Sequence, residues 1–209
     1  MELTINSRVF VTSDLHLNHR RLCSSYEDHF DIVRHYATTD EMNDDIVKQW
    51  NATVTDDDIV IFLGDTMMNT PGSQCADIFA EYYNKLHFKH MYMVRGNHDF
   101  TLFKKLNQRI DEFPRITLVP DYILLEHINK VYLFQHYDFT DTEFGQPFVL
   151  NKLVSEGCHI DYLVHGHTHS EAKLSNTNRL DDLEVQNCVC WDAWYKPVNI
   201  DRLTLARGY

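Results

Sequence analysis

The chain has 209 residues, 44 % of them apolar and 24 % charged, with a formal charge of −12 at pH 7. That length suits a single domain spanning residues 1–209, and no apolar run approaches the roughly 20 residues of a membrane-spanning helix. So negative a chain does not grip duplex nucleic acid or an anionic membrane through a broad basic surface, although a phosphorylated substrate stays compatible with it where bound cations supply positive charge locally.

Residues 1–6 lack the basic start and long apolar stretch of a secretory signal, and the five cysteines (Cys23, Cys75, Cys158, Cys188, Cys190) are odd in number and scattered. A cytoplasmic chain with reduced thiols is therefore expected. The apolar, β-branched run at 8–13 predicts the first strand. A helix comes next over 40–50, capped by Thr38 or Thr39, with Met42, Ile46 and Trp50 at four-residue steps on one face. Residues 59–63 predict a second strand, 74–86 a second helix behind Pro71 and Gly72, and 91–94 a third strand. Strands at Tyr122–His127 and 131–135, separated by Ile128-Asn129-Lys130, read as a hairpin. A helix over 147–156 and a strand at Tyr162–His165 complete the predicted elements. Strands alternating with helices, then a hairpin-rich second half, predict an α/β fold of two packed sheets with helices outside.

The residues just past the strands carry the chemistry. In chain order the strand ends release Asp14-Leu15-His16, Gly64-Asp65, Arg95-Gly96-Asn97-His98-Asp99, His136, and His165-Gly166-His167-Thr168-His169. Ligand sites of sandwiched α/β folds lie at such carboxyl ends. Three of only seven glycines fall in these turns, where the backbone bends beside a ligand. Imidazoles mixed with carboxylates suit manganese, iron, zinc or nickel; calcium prefers an all-oxygen cage, and structural zinc favours cysteine. A carboxylate able to bridge, together with the Asn97 amide oxygen, is what a pair of ions about 3.5–4 Å apart requires.

Asp14-x-His16, Gly64-Asp65, Gly96-Asn97-His98-Asp99, His136 and Gly166-His167-x-His169 resemble the five signature blocks of the calcineurin-like metallophosphoesterases. Glu41-Met42-Asn43, Trp50-Asn51, Asp58 and Trp191-Asp192-Ala193-Trp194 resemble a small bacterial and bacteriophage branch of predicted phosphoesterases, for which no substrate is implied. The resemblance implies two facing mixed β-sheets, a β-sandwich core flanked by α-helices. It implies two divalent metal ions, manganese being the choice for assay: Asp14, His16 and His169 hold one, Asn97, His136 and His167 the other, and Asp65 bridges. A metal-bridging hydroxide attacks in line, His98 acts as general acid, and Asp99 orients the His98 imidazole and raises its basicity.

Arg95 matches a phosphate-gripping arginine of the superfamily's protein phosphatases, and Asn18 and His19 extend the first block toward a substrate contact. Asp56-Asp57-Asp58 reads as a solvated turn, His165 as a structural side chain, and Trp191, Trp194 and Tyr195 as packing. The expected activity is hydrolysis of a phosphodiester or phosphomonoester in a small, nucleotide-type substrate. A protein phosphatase, and a catalytically silent protein-binding scaffold of the same fold, are the alternatives.

Overall fold

The computed structural model describes residues 7–30, 34–140, 147–178 and 183–206; the leader reading at residues 1–6 lies outside them. One sheet is built from β1 (Val9–Thr12), β2 (Ile59–Phe62), β3 (His90–Val94) and β4 (Ile116–Val119), all parallel, with the short β10 (Val198–Asn199) antiparallel at the β1 edge. The other runs β5 (Tyr122–His127), β6 (Lys130–Gln135), β7 (Tyr162–His165), β9 (Leu183–Cys188), β8 (Leu174–Asn178), with antiparallel pairs at its two edges and parallel pairs at its centre. The helices are α1 (Thr39–Asn51), α2 (Cys75–Lys85), α3 (Phe100–Gln108), α4 (Pro147–Ser155) and α5 (Trp191–Trp194).

The period-two alternation of strand side chains explains the layering. Val9, Val11, Ile61, Leu63 and Val94 of the first sheet pack on Ile123, Leu125, Phe134 and Val164 of the second, so the sheets face each other across a shared core. The opposite face of the first sheet (Phe10, Val60, Phe62, Met91, Met93) packs on α1, α2 and α3, and Leu133 and Leu163 on the outside of the second sheet pack on α4. The result is two mixed sheets between layers of helix. Among the described residues no helix is long and apolar enough to cross a membrane.

The predicted face of α1 is the buried one: Met42, Ile46 and Trp50 are fully buried, and the Thr38 hydroxyl caps the helix by accepting from Glu41 N–H. The strands β4, β8, β9 and β10 and the helices α3 and α5 were not predicted. Their signals are weak because β10 has two residues and α5 four, while β8 (Leu-Ser-Asn-Thr-Asn) is mostly polar. Asp58 corrects the solvated-turn reading: it is buried, takes both ends of the Arg8 fork at 2.9 and 2.7 Å, and accepts from the Thr55 backbone N–H and hydroxyl.

The β5–β6 hairpin turns on Ile128 (φ 50°) and Asn129 (φ 58°), one residue tighter than predicted. A left-handed pair suits the twist of a two-residue hairpin, but a β-branched residue is poorly suited to it. Ile128 is 75 % exposed and loses nothing by leaving. Ile128→Asn is therefore expected to stabilise the fold by about 1 kcal/mol, raising the calorimetric melting temperature by roughly 2–4 °C; an unchanged or lower value contradicts the strain argument.

Candidate metal centre

Five of the seven predicted ligands sit in left-handed backbone: Asp14 (φ 55°), His16 (48°), Asp65 (57°), His167 (68°) and His169 (49°). Each conformation is unfavourable for an L-residue, and such strain persists where the surroundings over-determine it, most often at functional sites. Here the turns lock into one another. Asp14 N–H donates to Gly64 C=O, His16 N–H to Asp65 C=O and Leu17 N–H to Thr66 C=O, which ties the turn after β1 to the turn after β2. A Cβ on Gly96 would overlap the Asp65 carboxylate, and one on Gly64 would overlap the Gly96 backbone. These turns approach closely enough to exclude side chains.

The predicted ligands converge as two groups. Asp14, His16 and His169 form one, and Asp65, His136 and His167 the other. The Asn97 side-chain oxygen lies 2.8 Å from His136 Nε2 and 3.1 Å from His167 Nδ1. Asp65 Oδ2 connects the groups, 3.5 Å from His16 Nε2 and 3.6 Å from His136 Nε2.

The donor set fits a cation in each group. His136 donates its Nδ1–H to the Leu63 carbonyl at 2.6 Å, so in the neutral ring Nε2 carries a lone pair that faces the Asn97 oxygen, itself an acceptor. His169 directs Nδ1 at Asp192 Oδ2, 3.0 Å away, so in the neutral ring that donates there Nε2 carries a lone pair that faces His16 Nε2 at 2.9 Å. Asp14 Oδ1 is buried and makes no hydrogen bond to a described residue, although it stands 3.7 Å from His169 Nε2. Burial, helped by the carboxylates of Asp14 and Asp99 and opposed by His136, pushes the Asp65 carboxyl up to about 7. Burial likewise drives the His16 imidazole well below its usual value. Converging acceptors and a carboxylate that ionises reluctantly by itself are both relieved by a bound cation.

Two residues of this arrangement carried no assigned role in the sequence. Asp192 bonds His169 Nδ1 and takes the Arg34 guanidinium at 2.8 and 3.0 Å. Arg34 also donates to the backbone carbonyls of Asp14 and Leu15. Burial pushes the Asp192 carboxyl upward, but Arg34 and His169 outweigh it and hold it well below the carboxylate range. Burial pulls the His169 imidazole down, and Asp192 with Asp14 raises it above its usual value all the same. A carboxylate behind a ligating histidine fixes its tautomer and ring orientation, and losing such a partner commonly costs about 10–100-fold in metal affinity. Asp192→Asn is therefore expected to weaken the manganese bound at Asp14, His16 and His169 by that factor while sparing the other group, read by titration calorimetry; equal weakening of both groups would contradict the assignment. Asp192 was visible only as part of Trp191-Asp192-Ala193-Trp194, and Arg34 had no sequence signal, because its oxygen partners Asp14, Leu15 and Asp192 lie 19 to 158 residues away.

His98 lies beside the junction of the groups. Its Nε2 is 4.0 Å from Asp65 Oδ2, its ring centre is 5.6 Å from that of His16, and its backbone N–H donates to Asp65 Oδ1 at 2.9 Å. Burial lowers its pKa and the Asp99 charge pushes back. The expected orienting role of Asp99 is corrected. Its carboxylate is buried and accepts the backbone N–H groups of Asp65, Thr66 and Gly96, at 2.7, 3.0 and 2.9 Å, so it pins two turns together and acts on His98 through charge alone.

His16, His19, His98, His169 and Tyr195 line a pocket of about 430 Å³, with Leu22 and Phe30 as its apolar wall. His19 is thus at the site, its imidazole pushed down to about 4 mainly by burial. Asn18 is not: its side-chain oxygen accepts from Asn43 Nδ2 of α1 at 2.7 Å, and its backbone N–H donates to Asn43 Oδ1 at 3.0 Å. Arg95 leaves the pocket as well, its guanidinium resting 4.3 Å over the Phe100 ring. Trp191 is fully buried, as packing requires, and His165 is buried with Nδ1 on the Gly166 carbonyl.

Comparison with known proteins gives three results. A family model for calcineurin-like phosphoesterases matches residues 7–171. An uncharacterized protein of Methanocaldococcus jannaschii is 32 % identical over 92 residues, covering 44 % of this chain and 47 % of that protein, so the match spans about half of the relative's length. A protein of unknown function from Aquifex aeolicus superposes with a TM-score of 0.61 at 21 % identity, over 92 % of this chain and 95 % of that one, a likeness of fold.

Proposed function

The chain belongs to the calcineurin-like phosphoesterase family, and from that premise we propose that it is a metal-dependent hydrolase that uses two divalent cations to cleave a phosphodiester or phosphomonoester of a small nucleotide-type substrate. The observation that carries this reading is Asp65 Oδ2, within 3.6 Å of the nearest ligating nitrogen in each group. Asp14, His16 and His169 would hold one ion and Asn97, His136 and His167 the other, with Asp65 shared. Bound cations supply the charge that lowers the pKa of an attacking water and neutralises phosphate oxygens.

The chain's own groups do the rest. His98, half-exposed in the pocket and outside both ligand groups, donates a proton to the departing oxygen. Leu22, Phe30 and Tyr195 offer an apolar wall to the organic part of the ester. The donor mixture accepts manganese, iron, zinc or nickel, and manganese is the metal of choice for assay. Five free cysteines suit a reducing, cytoplasmic setting.

The test is hydrolysis of bis(p-nitrophenyl) phosphate and p-nitrophenyl phosphate by metal-stripped protein with manganese restored. Manganese-dependent turnover supports the reading, and the ratio of the two rates separates diesterase from monoesterase. No bound manganese and no turnover would remove it.

A further inference from the structure

A second and larger hollow, of about 900 Å³, has no part in the chemistry above. Arg95 and Phe100 line it from the two ends of the loop that carries Asn97 and His98, joined by Phe103, Lys104 and Lys105 of α3. Phe100 is 61 % exposed, a large aromatic ring left in water. The Arg95 guanidinium covers part of it and otherwise has a long 3.8 Å contact with exposed Asp121. Among the described residues, Lys104 and Lys105 take part in no ion pair. Three cations, Arg95, Lys104 and Lys105, thus line one hollow of a chain that carries −12 overall.

The hollow is tied to the metal centre through the backbone. Gly96 comes directly after Arg95 and packs on the Asp65 carboxylate, and Phe100 comes two residues after His98. His98 lines the first pocket, while Arg95, three residues before it, and Phe100, two residues after it, line the second.

Resting on the phosphoesterase reading, we infer that this hollow is a substrate subsite for a nucleoside phosphate adjoining the scissile ester, its base stacked on Phe100 and its phosphate held by Arg95, Lys104 and Lys105. The size lies in the range of small-ligand sites. Aromatic stacking accepts any base, and neighbouring cations meet the backbone charge, which is the common pattern of single-strand recognition. Arg95, stacked on Phe100, is already oriented toward a phosphate at the ring edge. The substrate class is then a short nucleotide diester with organic groups on both sides of the phosphorus. Phosphate held away from the metal ions also explains how an acidic chain retains an anionic substrate.

The test is calorimetric titration of the manganese-loaded full chain with a thymidine dinucleotide that carries a 5′-phosphate and an uncleavable methylphosphonate link. Phe100→Ala and Lys104→Ala are titrated beside the wild type; both side chains are exposed, so the fold tolerates their loss. The expected result is a dissociation constant about tenfold or more higher for Phe100→Ala, the usual effect of losing one base-stacking ring, and a weaker salt dependence for Lys104→Ala. Dissociation constants within twofold of wild type in both variants, or no binding by the wild type, would overturn the subsite. Wild-type turnover of bis(p-nitrophenyl) phosphate is recorded in parallel. Turnover with Phe100-independent binding overturns the subsite and leaves the phosphoesterase reading standing; Phe100-dependent binding by a chain with neither bound manganese nor turnover overturns the enzyme reading, and with it the assignment of the hollow as a substrate subsite.

Discussion

His98→Ala is expected to cost about 100–10,000-fold in turnover, the usual range for a positioned general acid, while manganese binding and the melting curve stay at wild-type values. The geometry separates these outcomes. His98 belongs to neither ligand group, and the link from this position to Asp65 is a backbone N–H that alanine keeps. Its imidazole, by contrast, is 42 % exposed and faces the pocket beside the shared carboxylate. A proton donor matters most when the departing oxygen is basic. The loss is therefore expected to be small for p-nitrophenyl esters and to grow through phenyl to alkyl esters. A loss of equal size across that series would mean that His98 holds the substrate and transfers no proton.

The second large effect is expected at Asp65. Asparagine tolerates the left-handed conformation that Asp65 adopts at φ 57°, and its oxygen can still accept from His98 N–H, so Asp65→Asn removes charge with little change of shape. Because Oδ2 stands between His16 and His136, both cations are expected to weaken together. The loss should be on the order of 100-fold or more, at the upper end of what removing a mere supporting partner costs. Burial makes this carboxylate costly to ionise unaided, so the metal-free variant should melt no lower than metal-free wild type. Manganese titration with two resolved binding steps is the measurement. If one ion were lost and the other bound at wild-type strength, Asp65 would belong to a single site.

How much of this could be read from the chain depended on distance along it. The α1 face of Met42, Ile46 and Trp50, the Thr38 cap and the first three strands are local signals, set by periodicity and capping within one or two turns. The ligand candidates were legible for a related reason: Asp14-x-His16, Asn97-His98 and His167-x-His169 each come just after a strand, so a run of β-branched residues marks where they emerge. Readings that required knowing where a side chain goes fared differently. Asn18 sits two residues beyond His16 yet turns to Asn43 in α1. Arg95 precedes Asn97 yet lies over Phe100. Asp99 adjoins His98 yet gives both oxygens to backbone N–H groups of two turns.

The sequence by itself determined the class of chemistry, because imidazole, carboxylate and amide donors at strand ends favour divalent metals whatever the packing around them. Only the tertiary structure decided which donors gather into each group, that one oxygen of Asp65 approaches both groups, and that Arg34 and Asp192 hold His169 from behind. Arg34 and Asp192 are 158 residues apart, and no local pattern encodes such a pair. It exists because the sheets carry β1 and the segment after β9 to neighbouring positions, where Ser13 N–H donates to Val189 C=O and Trp191 N–H to Ser13 C=O. A buried guanidinium is stable there only if it is paired, so the fold that brings the two segments together also requires the contact that orients His169.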